Sequence, residues 1–406
     1  MKSVRLKDVV DIQLGKMLSP KSKTGTRPMP YLRNANVQWD RFDLDDVQEM
    51  DFDTREEQKF LLKPGDVLVC EGGEPGRAAV WAGEIDPCLY QKALHRLRPI
   101  NDAVDPQFLV YRLRLGAERG EFVEQQTQTT IAHLPAVRLA SLKVAVPAIT
   151  VQRRMVDFLR RQLSAVDEAR RQSQMRIATI ATLRYRAYQL AFVNRVPIAI
   201  TTPLGSPPPD DWEWQRLTNI ARLESGHTPS RNRPEWWTGG IPWIALPDIR
   251  RLNGRVAFDT IETTNADGIA HSSARILPVG TVVMSRTASV GFVTRMGRPM
   301  ATSQDFVNWV CGPSLDPEFL VHLLIRSRDE IRALSSGAIH KTVYMPTLKA
   351  LRVCVPGIDE QRRIAAELRD RLAAIDAIDA SIRAEQEAID ALPAALLRRA
   401  FGEIAA

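Results

Sequence analysis

The side chains in this chain with the means to do chemistry are basic and hydrogen-bonding groups gathered in short loops. Arg, Asn, Gln, Ser and Thr beside Gly or Pro suit base edges, while Lys, Arg and backbone N–H groups suit phosphate oxygens. "GHTPSRNRPEWW" offers His227, Thr228, Ser230, Arg231 and Arg233 between Gly226 and Pro234. "PDIRR" offers Asp248, Arg250 and Arg251 after the strand-like "IPWIAL", and "MSRTAS" offers Arg286, Thr287 and Ser289 where another strand ends. "SSGAIHKT" adds Ser336, His340 and Lys341 in a small, glycine-hinged segment. Nearer the N-terminus, Lys16, Lys21, Lys23 and Arg27 suit flexible phosphate contacts, whereas Arg33, Asn34 and Asn36 follow a strand-like start. Arg77 sits in the glycine-rich "GGEPGRAAV", and "QQTQTTIAH" holds Gln126, Gln128, Thr129 and Thr130, its amides able to pair with adenine edges. An ordinary solvated loop is the alternative at each stretch. For Trp236, Trp237 and Trp243, packing is favoured over base stacking.

Covalent chemistry finds little support. No Gly-rich loop ending in Gly-Lys-Ser/Thr is present, and "GGEPG" lacks the spacing and following helix of a dinucleotide fingerprint. The Asn/Asp-Pro-Pro-aromatic motif of adenine methyltransferases is missing, since "SPPPDD" reads as linker. Six His occur singly, without His-Glu-x-x-His or other paired metal spacing. Cys70, Cys88, Cys311 and Cys354 stand far apart, which predicts buried, reduced thiols rather than a zinc knuckle or disulfides. No window holds eighteen uninterrupted apolar residues and the first residues carry no signal-peptide core, so the expectation is a soluble, cytoplasmic protein without a membrane partner. A net charge of +7 and a pI near 9.4 are compatible with a polyanionic partner without identifying one.

These loops recur because the chain is duplicated. "VAVPAITVQRRM" from Val144 returns as "VCVPGIDEQRRI" from Val353, and "RLKDVVDIQLGK" from Arg5 answers "RLTNIARLESGH" from Arg216. "LKPGDVLVCEGGEPGRAAV" from Leu62 answers "LPVGTVVMSRTASVGFVT" from Leu277, and "DPQFLVYRL" from Asp105 answers "DPEFLVHLL" from Asp316. The 406 residues thus contain two homologous halves rather than short solenoid repeats. Each half opens with an α+β domain, expected at 1–149 and 212–358, and closes with a long helix, expected at 150–192 and 359–406; the linker 193–211 contains Pro207, Pro208 and Pro209.

Both helical stretches carry a heptad seam in one register: Leu159, Leu163, Val166, Arg170, Ile177 and Ile180, then Leu368, Leu372, Ile375, Asp379, Ile382 and Ile389. Residues 150–192 carry nine Arg and three acids, whereas 359–401 carry seven Arg and nine acids, so pairing the helices with each other is favoured. In an antiparallel pair, Arg170 and Asp379 would meet mid-helix. Packing of each seam on its own domain is the alternative. Outside the helices the net charge is only +3, so any surface for a polyanion must be local.

The order domain, helix, domain, helix resembles the specificity subunit of type I restriction-modification systems. The phrases "LESGHTPSR", "GGIPWIALPDI", "GTVVMSRTASVG", "SSGAIHKTVYMPTLKALRVCVPGIDEQRRI" and "LLRRAFGE" carry that resemblance over essentially the whole chain. The first half departs at "MLSPKSKTGTRPMPYLRNANV" and "QQTQTTIAHLPAV", as two domains reading different half-sites would. The resemblance implies a non-catalytic, pseudo-two-fold protein in which each domain reads half of a bipartite double-stranded DNA site. The helices would pair as an antiparallel coiled coil, set the spacing and dock two methyltransferase subunits, with restriction subunits as further partners where present. It implies no cofactor in this chain: S-adenosylmethionine, and ATP with Mg if a nuclease subunit is present, would bind partner subunits. The rival readings are a coiled-coil adaptor binding only proteins, and a divergent methyltransferase or nuclease.

Overall fold

A computed structural model describes residues 3–19, 22, 24–122, 133–192, 197–200, 208, 211–336 and 341–405. Its contacts divide the chain into two compact units, Met1–Met175 with Arg383–Ala406, and Arg176–Ile382. Each unit is a mixed domain with parts of both long helices, an α+β architecture built twice.

In the first domain a four-stranded antiparallel sheet runs in the order Val10–Leu14, Leu94–Pro99, Val67–Cys70, Ala78–Val80. The second repeats it as Ala221–Ser225, Phe306–Cys311, Val282–Ser285, Val293–Met296, and adds the parallel edge strand Val256–Ala257. A smaller sheet also recurs: Pro28–Leu32 lies between antiparallel Gln48–Asp51 and parallel Leu89–Tyr90, as Ile241–Ile244 lies between Glu262–Thr264 and Ala301–Thr302. The strand Val67–Cys70 is buried throughout because side chains alternate between two cores. Val67 and Val69 join the cluster beneath the helix Pro106–Glu118, and Leu68 and Cys70 join the cluster of the small sheet. Val282 and Met284, against Val283, divide the same way in the second domain.

The twice-written Gln-Arg-Arg phrase has a structural reason in its glutamine. Gln152 is fully buried; its Oε1 accepts the Asp105 N–H at 2.8 Å, and its Nε2 donates to the carbonyls of Ala103 at 3.3 Å and Pro147 at 2.8 Å. Gln361 binds Asp316, Ser314 and Pro356 identically, at 2.9, 3.0 and 2.8 Å. Asp105 and Asp316 in turn cap the helices Pro106–Glu118 and Pro317–Arg326, each accepting two N–H groups, with Pro at the first turn where no donor is needed. Each glutamine thus clamps the start of a long helix to the start of its domain's main helix.

The long helices run Ile149–Ala191 and Ile358–Ala405, 43 and 48 residues, or about 64 and 72 Å at the helical rise. Within the first unit, Val156, Leu159 and Leu163 share a core with Leu397 and Ala400 from the end of the second helix. Within the second, Ile180, Ala187 and Phe192 from the end of the first helix share a core with Ile364, Ala365, Leu368, Ile375 and Ile382. Val166 and Ile389 are also buried, and Ile177 and Leu372 are partly buried. The helices therefore pair antiparallel, but the expected meeting of Arg170 with Asp379 is incorrect. Arg170 Nε donates to Asp390 Oδ1 at 2.7 Å, while Asp379 Oδ2 lies 3.9 Å from Arg184 Nη2. The register follows from the helix ends. Phe401 packs on Phe108 with ring centroids 5.2 Å apart, and Phe192 packs on Phe319 at 5.5 Å, so end docking rather than the midpoints sets the alignment.

The linker is only partly described. Ile198–Ala199 forms a strand against Arg352–Pro356, which also pairs with Trp212–Arg216; Pro207 and Pro209 lie outside the described residues.

Candidate nucleic-acid interface

In the second domain, the chain leaving the buried strand Val282–Ser285 turns through residues 285–292 and rejoins the sheet. Ser285 N donates to the Phe292 carbonyl at 2.9 Å and Gly291 N to the Ser285 carbonyl at 2.9 Å. Ala288 and Gly291 take φ of 60° and 83°, which this tight turn requires. The turn presents Arg286, whose N–H donates to the Asp305 carbonyl at 2.8 Å and whose carbonyl accepts Val343 N–H at 2.9 Å. Its side chain makes no ion pair or hydrogen bond among the described residues, and its Nε is buried without a partner.

Other stretches converge on this turn. Thr287 bridges Thr342, their hydroxyls 3.3 Å apart, and Thr342 bridges Ser336. Arg250 donates to Ser289 Oγ from Nε at 2.9 Å and Nη2 at 2.8 Å. Thr228 bonds Gln304, next to the Asp305 that supports Arg286, and His227 N donates to the Thr302 carbonyl at 2.9 Å. Lys341 is exposed. One loop cluster therefore gathers the second-domain stretches that the sequence reading treated separately.

The first domain repeats the turn bond for bond. Cys70 N donates to the Arg77 carbonyl at 2.8 Å, and Gly76 N to the Cys70 carbonyl at 3.0 Å; Gly73 and Gly76 take φ of 75° and 89°. Gly72 bridges His133 as Thr287 bridges Thr342. The residue in the place of Arg286 is Glu71: its N–H donates to the Ala93 carbonyl at 2.9 Å, and its carbonyl accepts Leu134 N–H at 2.7 Å. Its carboxylate lies 3.3 Å from His133 Nε2 and 4.0 Å from His95 Nε2. Sequence reasoning missed Glu71 and His133 because it sought basic and amide groups. The aligned glycines were the available signal, since they place Glu71 and Arg286 at one offset.

Several expected contacts prove to be internal supports. Lys16 is held by Glu56 Oε2 at 2.6 Å and the Asp51 carbonyl at 2.8 Å, so it is not a flexible phosphate contact. Asn36 is buried, its Oδ1 accepting Arg33 N–H at 3.0 Å and its Nδ2 donating to Asp43 and Asp46 carbonyls, which corrects its assignment as a reader. Asp248 is wholly buried and accepts Ala245 and Ile261 N–H groups at 3.1 and 2.9 Å, a loop anchor in place of a contact. Ser289 is buried under Arg250. Arg77 ties the turn to the Asn34 carbonyl at 3.0 Å, and Asn34 Nδ2 reaches back to Gly72 at 2.8 Å, leaving its Oδ1 unpartnered.

The remaining basic residues are exposed or, for Arg33, half-buried, and they are engaged. Arg27 pairs with Glu57 and Thr54, Arg33 with Asp46, Arg233 with Glu235, and Arg251 with Asp259 and Asp248. Arg231 forks onto Glu262 at 2.6 and 2.9 Å and stacks over Trp237 at 3.7 Å; that guanidinium holds the Glu262 carboxyl below its usual range. Ser230 accepts the Trp237 indole N–H through its carbonyl at 3.2 Å, and Trp243 is buried, so these tryptophans pack. Lys21, Lys23, Gln126, Gln128, Thr129, Thr130 and His340 lie outside the described residues.

Burial pushes the Cys70 thiol up to about 11 and those of Cys88 and Cys311 to about 12, leaving them protonated and unreactive. Among the described residues, no group of three His, Cys, Asp or Glu could hold a metal, and no helix is long and apolar enough to cross a membrane.

The architecture defines the class: an internally duplicated α+β protein whose two domains present one turn on one frame, joined by two long helices. Residues 1–174 and 209–388 match the type I restriction modification DNA specificity domain, so the chain belongs to that family and carries its domain twice. It is similar to the putative type I restriction enzyme MjaX specificity subunit of Methanocaldococcus jannaschii, 22% identical over 409 residues covering 95% of this chain and 89% of that one. The MjaIX specificity subunit of the same organism is 28% identical over 162 residues, 39% of this chain and 38% of the relative, about two fifths of its length. Among solved structures, a chain from a type I R-M system studied for complex assembly and conformational transition superposes with a TM-score of 0.77 at 18% identity, covering 98% and 97% of the two chains. The HsdS subunit from Thermoanaerobacter tengcongensis gives 0.63 at 17% identity, covering 98% and 96%.

Proposed function

We propose that this chain is the DNA-reading, non-catalytic subunit of a cytoplasmic type I restriction-modification complex, each domain recognising half of a bipartite double-stranded site. The carrying observation is the repeated turn of residues 70–77 and 285–292, which sets one polar side chain at the same place on the same frame in each domain. The long helices set the number of base pairs between half-sites and dock two methyltransferase subunits, with restriction subunits joining where present. S-adenosylmethionine, and ATP with Mg, act on those partners. Charge outside the helices is modest, so affinity comes from local loops rather than a broad basic field.

Co-expression with the methyltransferase partner in a methylation-free host, followed by sequencing for modified bases, tests this reading. The expected result is one bipartite adenine-methylated motif with a fixed gap. A soluble, salt-insensitive complex that leaves DNA unmethylated and shows no binding to duplexes overturns it in favour of a protein-only adaptor.

A further inference from the structure

Resting on that reading, we infer that Glu71 and Arg286 are the specificity-determining residues of equivalent positions in the two domains, and that their opposite charge gives the half-sites opposite hydrogen-bonding sense. The second domain takes guanine at this position, and the first takes cytosine.

Three observations carry the assignment. The positions are equivalent by backbone bonding, since each residue donates to the start of the strand beside it and accepts from the residue after a bridged loop position. Only the side chain differs. The Arg286 guanidinium has no partner among the described residues, whereas most other arginines of these loops are tied to acids; its buried Nε is unsatisfied, as are those of Arg33 and Arg77. Such a group costs the fold free energy until an acceptor arrives, and the guanidinium fork matches the paired O6 and N7 acceptors of guanine. Glu71 carries an acceptor-only carboxylate fixed beside the half-exposed His133, with 11% of its side chain open.

A carboxylate is repelled by phosphates, so beyond the neighbouring His133 and His95 the DNA group that suits it on this turn is a base donor. Cytosine and adenine both present an exocyclic amino group in the major groove. Adenine sets its N7 acceptor beside that group, where it would face a second carboxylate oxygen; cytosine does not.

The experiment uses the full chain with its methyltransferase partner, reading the methylated motif and the affinity for duplexes substituted singly at each motif position. Arg286→Ala is expected to relax guanine at one position of one half-site by roughly ten- to a hundred-fold, the other half-site being unchanged. Arg286→Lys, which keeps the charge but loses the fork, is expected to relax the same position. Glu71→Gln keeps the volume and adds a donor beside the acceptor, so it is expected to shift one position of the other half-site from cytosine towards adenine. Changed preference with unchanged melting temperature supports the inference. Uniform weakening across all duplexes, rescue by Arg286→Lys, or both variants acting on one half-site overturns it while leaving the proposed function standing. Absence of any bipartite motif with the unaltered chain defeats the proposed function and the inference together.

Discussion

The turns of residues 70–77 and 285–292 share their backbone bonds, their bridge to a following loop and two left-handed positions, yet one presents a carboxylate and the other a guanidinium. The difference teaches where each kind of information is kept. Backbone bonding and the sign of φ hold the frame, while the side chain at its second position differs in charge and surroundings: Glu71 is buried beside His133 and His95, and Arg286 is half-buried. The same contrast runs deeper into the domains: Phe192 and Phe401 dock equivalently but are unequally buried, and His322 occupies the place of Tyr111 on the capped helices.

The sharpest way to break the equivalence is at the helix ends. Phe192 is wholly buried against Phe319 and Trp212, whereas Phe401 is partly exposed on Phe108. Phe192→Ala should cost about 3–5 kcal/mol in denaturant unfolding and Phe401→Ala about 1–3. Equal losses would show that the two dockings are energetically the same.

Acid should separate the units next. Burial, and then the charges of Arg369 and Arg295, press the His322 pKa down to about 4. The unfolded chain therefore takes up this proton first, and stability falls as pH drops from about 6.5 to about 4, by up to about 3 kcal/mol. In the first unit, burial also lowers His95, but the Leu134 carbonyl and Glu71 oppose the shift. His322→Tyr, which copies the Tyr111 position, should flatten the pH dependence of the melting temperature; an unchanged slope would remove His322 as its source.

The smallest effect lies in the turn itself. Gly73 and Ala288 occupy the same left-handed position, and a Cβ at Gly73 meets nothing closer than Asn34 Nδ2 at 3.8 Å. Gly73→Ala should therefore cost about 1 kcal/mol through backbone strain alone, and Ala288→Gly should gain less, because glycine also loosens the unfolded chain. A larger loss at Gly73 would mean that the two turns are not superposable.

Much of this was legible in the sequence. The duplication, the Asp-Pro helix starts and the heptad seam are local patterns, and the structure places helices and buried residues on them. The helix register was not, because it depends on where Phe192 and Phe401 meet distant domains. Nor were the roles of Lys16, Asn36 and Asp248: sequence shows a polar group in a loop, but only the fold shows the acid or carbonyl that claims it. Glu71 escaped for the converse reason, since an acid has no place in a search for phosphate contacts and gains meaning only from the frame it shares with Arg286.

The end docking also bears on how the chain is made. The first core is incomplete without Leu397 and Ala400, with Phe401 packed at its edge, more than two hundred residues after the main chain of that domain has been synthesised. At about 5–20 residues per second, a nascent first domain waits on the order of tens of seconds for its last helix. During that interval the apolar seam of Val156, Leu159 and Leu163 stands open, so early folding is a holding state and closure of the long loop is the late, slow event.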